Sequence, residues 1–222
     1  MEKYTKSQKQ LNLYEKICKL PDRRRAQGRM HPLPMIIMIT IMAIMSGITT
    51  QRGFGDFAKR QKKELVKLFA LRKKRVPTRK TIGRALGNLD FMDLSEIFRL
   101  WAKESVGTKN GDWISLDGKA IRGTVMDYDS SFQNFVSLVS AFCQKKKQVL
   151  GAGKIESKKE SEIPTVRELI KLLDLEGVVF TIDALHCTKE TTKTIIESGN
   201  DYVIATKENQ KKLYEQIKKT QK

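Results

Sequence analysis

The sequence predicts an α/β protein in two parts: an all-helical, strongly basic region over residues 1–107, then a mixed sheet with covering helices over residues 111–222. Three observations predict it. Of the formal charge of +18, residues 1–110 hold +16, with 25 Lys and Arg against 9 Asp and Glu. Hydrophobic spacing is helical up to Asn110-Gly111 and alternating after it. The later segments read, in order, as three strands, helix, strand, helix, strand and the start of a helix. At 222 residues the chain is long enough for a sizeable core and for one domain or two.

The first strong element is LPMIIMITIMAIMSGITTQ, Leu33 to Gln51, with no charged residue between Met30 and Gln51. Its dense apolar core, Met35 to Met45, is eleven residues, and a spanning helix needs roughly 20. With Pro34 at its start and Ser46-Gly47 at its end, it is predicted to be a buried helix with other helices around it. Those neighbours follow. Phe54, Phe57, Ala58, Leu65, Leu68 and Phe69 recur at helical spacing, Ile82, Ala85, Leu86 and Leu89 form a stripe after Pro77-Thr78, and Leu94, Ile97, Phe98 and Trp101 form another.

Two basic clusters lie between and beside these helices: Arg23, Arg24, Arg25 and Arg29, then Arg72, Lys73, Lys74 and Arg75. A surplus of this size on one half of a chain is the electrostatic footprint of a polyanion partner, most often nucleic acid. Contacts of this kind position a protein on phosphates without reading sequence. A solvated charged face is the alternative for either cluster.

In the second half, WISLD places Ile114 and Leu116 on one face and Ser115 and Asp117 on the other. FVSLVSAFC and QVLGAGKI, joined by the polar QKKK, read as an antiparallel pair. EIPTVRELIKLLDLEG reads as a helix with Val166, Leu169, Ile170 and Leu173 on one stripe and a capping box at Thr165 and Glu168. VVFTID is a strand, TKETTKTIIESG a helix stopped by Gly199, DYVIAT a strand, and ENQKKLYEQIKK opens a helix. Two of these strands echo each other: Ile114-Ser115-Leu116-Asp117 and Phe180-Thr181-Ile182-Asp183 both run apolar, hydroxyl, apolar, Asp. Laid side by side and parallel, they would bring both carboxylates to one edge and one face, about 4.8 Å apart, a spacing suited to holding divalent cations, which sit about 3.5 to 4 Å apart in two-metal sites. The alternatives are a hairpin Asp-Gly turn for Asp117 and an acid leading a helix for Asp183.

Cys18, Cys143 and Cys187 are widely separated and form no C-x-x-C pair, which argues against a disulfide framework or a structural zinc. The opening MEKYTKSQKQ does not read as a secretory signal, so a cytoplasmic protein with no membrane partner is expected.

The stretches LPDRRRAQGRMHPLPMIIMITIMAIMSG, VPTRKTIGRALGNLD, LDGKAIRG, SLVSAF, KESEIP, LLDLEG and TIDALHCTKETTKTIIESGNDYVIATKENQ, in that order, resemble the DDE transposases of the H-repeat-associated type, found linked to Rhs elements. The resemblance runs along nearly the whole chain. It implies a helical N-terminal region joined to an RNase H-like catalytic core, with Mg²⁺ or Mn²⁺ supporting cleavage and strand transfer of double-stranded DNA at transposon ends and target. It implies a bacterial, nucleoid-associated protein that forms a homodimer or pairs with a full-length transposase. By position, Asp117 and Asp183 match the first two catalytic and metal-binding aspartates. Lys119 and Arg122 of LDGKAIRG are candidate phosphate contacts or turn cations. His186, three residues after Asp183, is a site-adjacent candidate or a hydrogen-bonded structural histidine.

The family's third carboxylate arrives on a later helix, so the chain is expected to be an incomplete catalytic core. Glu208 in KENQ and Glu215 in KKLYEQIKK are the acids available after Asp201, and neither Glu156 nor Glu162 is chosen as a ligand. Two functions of different class follow: a metal-dependent transposase or its N-terminal part, or a catalytically inactive DNA-binding remnant that inhibits an intact transposase. An RNA-binding protein is a more distant third, disfavoured because phosphate binding gains nothing from paired aspartates.

Overall fold

A computed structural model describes residues 13–71, 73–121, 136–155 and 162–220. It divides into two compact units, Met1–Ile97 and Phe98–Lys222. The division falls inside a single helix, α6 in the numbering below.

The described part of the first unit is built from helices α1 (Leu13–Ile17), α2 (Leu33–Met45), α3 (Gln51–Arg60), α4 (Lys62–Leu68), α5 (Arg79–Gly87) and the start of α6 (Phe91–Val106). Its centre is α2. Met35, Ile36, Ile39 and Ala43 are almost fully buried, against Ile17, Ala58, Ile82 and Ala85. At 13 residues α2 is shorter than the roughly 20 a bilayer demands. Its one buried hydroxyl, on Thr40, donates to the Ile36 carbonyl at 2.9 Å, so no polar group is left bare on its packed face. Thr50 and Thr78 cap α3 and α5 by accepting from the amides of Gly53 and Thr81. Where α3 meets the start of α5 there is no room for a side chain: a Cβ on Gly55 would lie 2.8 Å from Arg79 Cβ and 2.9 Å from its Cα.

Between α1 and α2 the chain runs through a 3₁₀ turn, Ala26–Gly28, in a loop tied by one buried arginine. The Arg24 guanidinium donates to both carboxylate oxygens of Asp22 (2.8 and 2.6 Å), to the Gly28 carbonyl and to the His31 carbonyl. Arg29 closes the loop from outside by donating to the carbonyls of Arg24 and Asp22, each at 2.7 Å. The hydrogen bond from Arg24 holds the Asp22 carboxyl below its ordinary value of 3.8, against a smaller opposing effect of burial.

The second unit contains the rest of α6 and a five-stranded mixed sheet: β1 (Trp113–Ile121), β2 (Val136–Cys143), β3 (Gln148–Ile155), β4 (Val179–Ile182) and β5 (Asp201–Ile204), in the order β3-β2-β1-β4-β5. β1–β2 and β2–β3 are antiparallel, β1–β4 and β4–β5 parallel. Helix α7 (Glu162–Leu173) packs on β2 and β3 through Val166, Leu169, Ile170 and Leu173, α8 (Lys189–Glu197) connects β4 to β5, and α9 (Lys211–Thr220) follows. The mixed α/β class, the strand order and the QKKK hairpin agree with the sequence.

One local alternative is set aside and one expectation corrected. Asp117-Gly118 is not a hairpin turn, because β1 continues through it to Ile121 and Asp117 pairs with Ser140 of β2. The full β1–β2 ladder outweighs the dipeptide's turn preference. Thr165 is not a helix cap either, since α7 is already helical at Glu162. Pro164 fits there because first-turn amides have no helical acceptor.

Two predictions follow from the first unit. Gly55→Ala gains about 1 kcal/mol of helix propensity, but overpacking against the Arg79 backbone costs about 1–3 kcal/mol. Chemical denaturation is expected to show net destabilisation, whereas Gly87→Ala, with nothing within 4 Å, should not destabilise. The second concerns acid. A carboxyl depressed in the folded state contributes stability that is present above its unfolded value and lost as pH falls through the folded value. Melting temperatures of the native chain should therefore fall more steeply below pH 3.8 than those of Asp22→Asn. Parallel curves would show that the Arg24 tie is not coupled to folding.

Candidate functional site

The two echoing strands are neighbours. Trp113, Ile114 and Ser115 of β1 pair in parallel with Val179, Phe180 and Thr181 of β4. Asp117 and Asp183 each stand two residues beyond the last pair, Asp117 midway along β1 and Asp183 just past the end of β4. Ile114, Leu116, Phe180 and Ile182 turn into the core, which sends Ser115, Asp117, Thr181 and Asp183 to the other face. One rung below the aspartates this arrangement shows as a contact: Thr181 Oγ1 donates to Ser115 Oγ at 3.0 Å, and Gln144 Nε2 donates to the same oxygen at 2.7 Å.

Asp117 is exposed within β1. Asp183 is extended, with a side chain 68% exposed, and its Oδ1 accepts from the Leu185 amide at 3.0 Å, capping the 3₁₀ turn Ala184–His186. The helix-leading role weighed for Asp183 is thus present, and it occupies one carboxylate oxygen. Oδ2 has no protein partner among the described residues.

His186 is 2% exposed, and its Nε2 lies 3.1 Å from Glu162 Oε1 and 4.0 Å from Asp183 Oδ1. Nδ1 is buried with no partner among the described residues. A proton on Nε2, donated to Glu162, leaves only a bare lone pair at Nδ1, the less costly group to strand. Glu162 itself lies against Gly118, where a Cβ would run into its carboxylate. Gly118 and Asp117 project to opposite faces of β1, so Glu162 meets the strand from the side away from Asp117. What it secures is the turn that carries Asp183.

The same turn is tied from the other side. Asn209 Nδ2 donates to the Ala184 carbonyl at 2.7 Å and Gln210 Nε2 to the Cys187 carbonyl at 2.8 Å. These contacts give KENQ a structural purpose. Beside them lies an open cleft of about 600 Å³ whose lining includes Asp183, Lys207, Glu208 and Tyr214. Glu215, on α9, is not among its lining residues. No group of three His, Cys, Asp or Glu side chains able to hold a metal ion occurs among the described residues.

The sequence could not expose Glu162, Asn209 and Gln210 as supports of this turn, because each acts across 23 to 25 residues. The one local signal was the glycine at 118. Lys119 is exposed on β1. Arg122 and Glu156 lie outside the described residues, as does Arg72.

In the first unit the basic clusters separate by role. Arg24 is 8% exposed and fully engaged in its loop. Arg29 is bound to two carbonyls, and Arg23 pairs with Asp93 (2.9 Å) and Asp90 (3.3 Å). Arg25, Lys73, Lys74 and Arg75 are exposed, with no ion pair or hydrogen bond from their side chains among the described residues. The cations of the first cluster thus read as a tied loop that presents one free arginine.

Residues 14–102 match the DDE_Tnp_1-associated family. The chain is 32% identical over 204 residues to "Putative transposase YncI" of Escherichia coli K12, covering 91% of this chain and 80% of that protein. It is 31% identical over 202 residues to "H repeat-associated putative transposase YbfD" of the same strain, covering 90% and 78%. To the YncI protein of E. coli O157:H7 it is 33% identical over 204 residues, 91% of this chain. It spans about half the length of that relative, 51%. Among solved structures, a piggyBac transposase synaptic complex with hairpin DNA superposes at a TM-score of 0.46 and 12% identity, over 89% of this chain and 48% of that one. The family match over residues 14–102 and the relatives covered over more than three quarters of their length define the class. The chain belongs to the DDE transposases of the H repeat-associated type.

A double-mutant cycle tests the Glu162 contact. Gly118→Ala should displace the Glu162 carboxylate and strand His186, costing about 1–3 kcal/mol. Glu162→Ala should cost about the same, and the double variant little more than either alone. Additive losses would show that Glu162 is not held between Gly118 and His186.

Proposed function

We propose that this chain is the aspartate-bearing part of a DNA transposase, with an RNase H-like core in residues 111–222 and a DNA-binding helical region in residues 1–107. The observation that supports the reading is the parallel β1–β4 register with its Ser115–Thr181 rung, beyond which Asp117 and Asp183 each follow by two residues.

The donor set suits a hard divalent cation. Mg²⁺ is commonly held by one or two carboxylates, with waters and substrate phosphates completing its shell. Asp117 and Asp183 would hold it, Asp183 through the oxygen left free by the Leu185 cap. Bound there, Mg²⁺ or Mn²⁺ would supply charge neutralisation for a phosphodiester undergoing in-line displacement. The chain's own contribution is placement. The Ser115–Thr181 hydrogen bond locks the two strands in phase, and the Glu162–His186 pair with Asn209 and Gln210 fixes the turn behind Asp183. Lys207, in the same cleft, offers a cation to a phosphate.

One observation favours a second reading, a DNA-binding protein without cleavage: the described residues supply no three-ligand metal cluster. The two readings share DNA as partner and differ at the aspartates.

Mn²⁺ binding, followed by electron paramagnetic resonance on the intact chain, separates them without relying on turnover. Asp117→Asn and Asp183→Asn are each expected to weaken Mn²⁺ binding at least about tenfold, which corresponds to about 1.4 kcal/mol, and to abolish any Mn²⁺-dependent nicking of supercoiled plasmid. Binding of labelled duplex in EDTA should survive both substitutions. Mn²⁺ affinity unchanged in both variants would refute the paired-aspartate site and leave the non-cleaving reading.

A further inference from the structure

A cleft of about 600 Å³ opens in the first unit between the loop tied by Arg24 and helix α5. Arg23, Arg25 and His31 line it from the loop, and Thr81, Arg84 and Asn88 from α5 and its C-terminal cap. No acidic side chain lines it. We propose that this cleft seats a phosphodiester strand of duplex DNA, with Arg25 and Arg84 as the cations that meet phosphate. The inference rests on the reading of DNA as partner and adds where the strand lies.

Charge is the first reason. Arg23 and Arg24 are already paired with carboxylates, but Arg25 and Arg84 bring two further cations to the same concavity, where an entering anion would offset their repulsion. Preorganisation is the second. Arg24 and Arg29 hold the loop through six hydrogen bonds, and Arg23 clamps it to Asp90 and Asp93. The loop is therefore already ordered, and binding does not have to supply that ordering free energy. Arg25 and Arg84 are exposed, and neither side chain has an ion pair or hydrogen bond among the described residues.

The third reason is the helix face. Thr81, Arg84 and Asn88 stand at i, i+3 and i+7, one stripe of α5 and its cap. On the adjoining face of the helix Ile82 and Ala85 are buried in the core, and Arg84 and Asn88 are exposed beside them. Thr81 Oγ1 is shared with the Thr78 hydroxyl and one Asn88 amide hydrogen with the Arg84 carbonyl, so the Arg84 guanidinium and the second Asn88 amide hydrogen are what this stripe offers a phosphate. The +16 formal charge of residues 1–110 selects a polyanion over a small phosphorylated ligand.

The test is fluorescence anisotropy of the intact chain with a labelled random-sequence duplex of about 20 base pairs, long enough for about two helical turns, titrated with NaCl. Arg25→Ala and Arg84→Ala are each expected to weaken binding about fivefold and to reduce the slope of log K against log salt by about 1, one phosphate contact each. Arg84→Glu should weaken it further, and Lys146→Ala, on the β2–β3 turn, should change nothing. Melting temperatures close to the native chain's would show that the exposed substitutions leave the fold intact. Binding that persists in both arginine variants but is lost in a Lys73, Lys74 and Arg75 triple alanine variant would overturn the cleft while leaving DNA as partner. Failure of the native chain to bind duplex in a salt-dependent way would sink the DNA reading and the cleft with it. An RNA hairpin or ATP that displaces the duplex at lower concentration than unlabelled duplex does would overturn DNA as the occupant.

Discussion

The second unit depends on one constraint: β1 must pair antiparallel on one side and parallel on the other. Its long ladder with β2, from Ile114–Cys143 to Ile121–Val136, fixes the strand through Asp117 and Gly118. Its short ladder with β4 ends at Ser115–Thr181. A slip of one residue against β4 would break the equal phase of the two strands and carry the Phe180 face out of the core. Phe180 and Ile114 are fully buried, so the hydrophobic core holds the register that aligns the aspartates. Packing of apolar residues therefore fixes the position of charged ones.

The first unit shows the converse economy of charge. A run of arginines looks uniform in sequence, yet burial divides it. Arg24 leaves solvent and is matched by a carboxylate and two carbonyls, as a buried guanidinium must be. Arg25, one residue on, is exposed. Removing Arg24 would thus act through the fold of the loop, and removing Arg25 through its surface. A triple substitution would merge two unrelated effects.

Much of the architecture was legible because it is written in local period. The alternation in ISLD and FTID, the helical stripe of Val166, Leu169, Ile170 and Leu173, and the short apolar run of α2 all reappear as elements with the expected buried faces. The misreadings came where a local signal competes with a distant one. For Asp-Gly the turn alternative fails because β1 pairs through Gly118 with Val139, and the glycine there leaves room for the Glu162 carboxylate, 44 positions away. Thr165 looked like a cap because Glu168 follows it, while its methyl instead lies over Gly153 of β3. His186 was open between ligand and structural residue, and only the fold supplies the Glu162 that engages it.

Asp183 joins an architectural role to the chemical one proposed for it. A carboxylate has two oxygens with about four acceptor sites. The backbone uses Oδ1, through the Leu185 amide, to stop β4 and start the 3₁₀ turn. That bond also restrains the side chain, so in the proposed metal site less ordering would be left for a cation to impose on it. An asparagine would keep the cap, because its carbonyl oxygen accepts the same amide hydrogen bond, but would present an NH₂ or a neutral oxygen to the cation. Substituting Asn at 183 therefore removes charge while leaving the turn in place, whereas Ala would remove both. The contrast between the two variants separates the folding role of this aspartate from its chemical one.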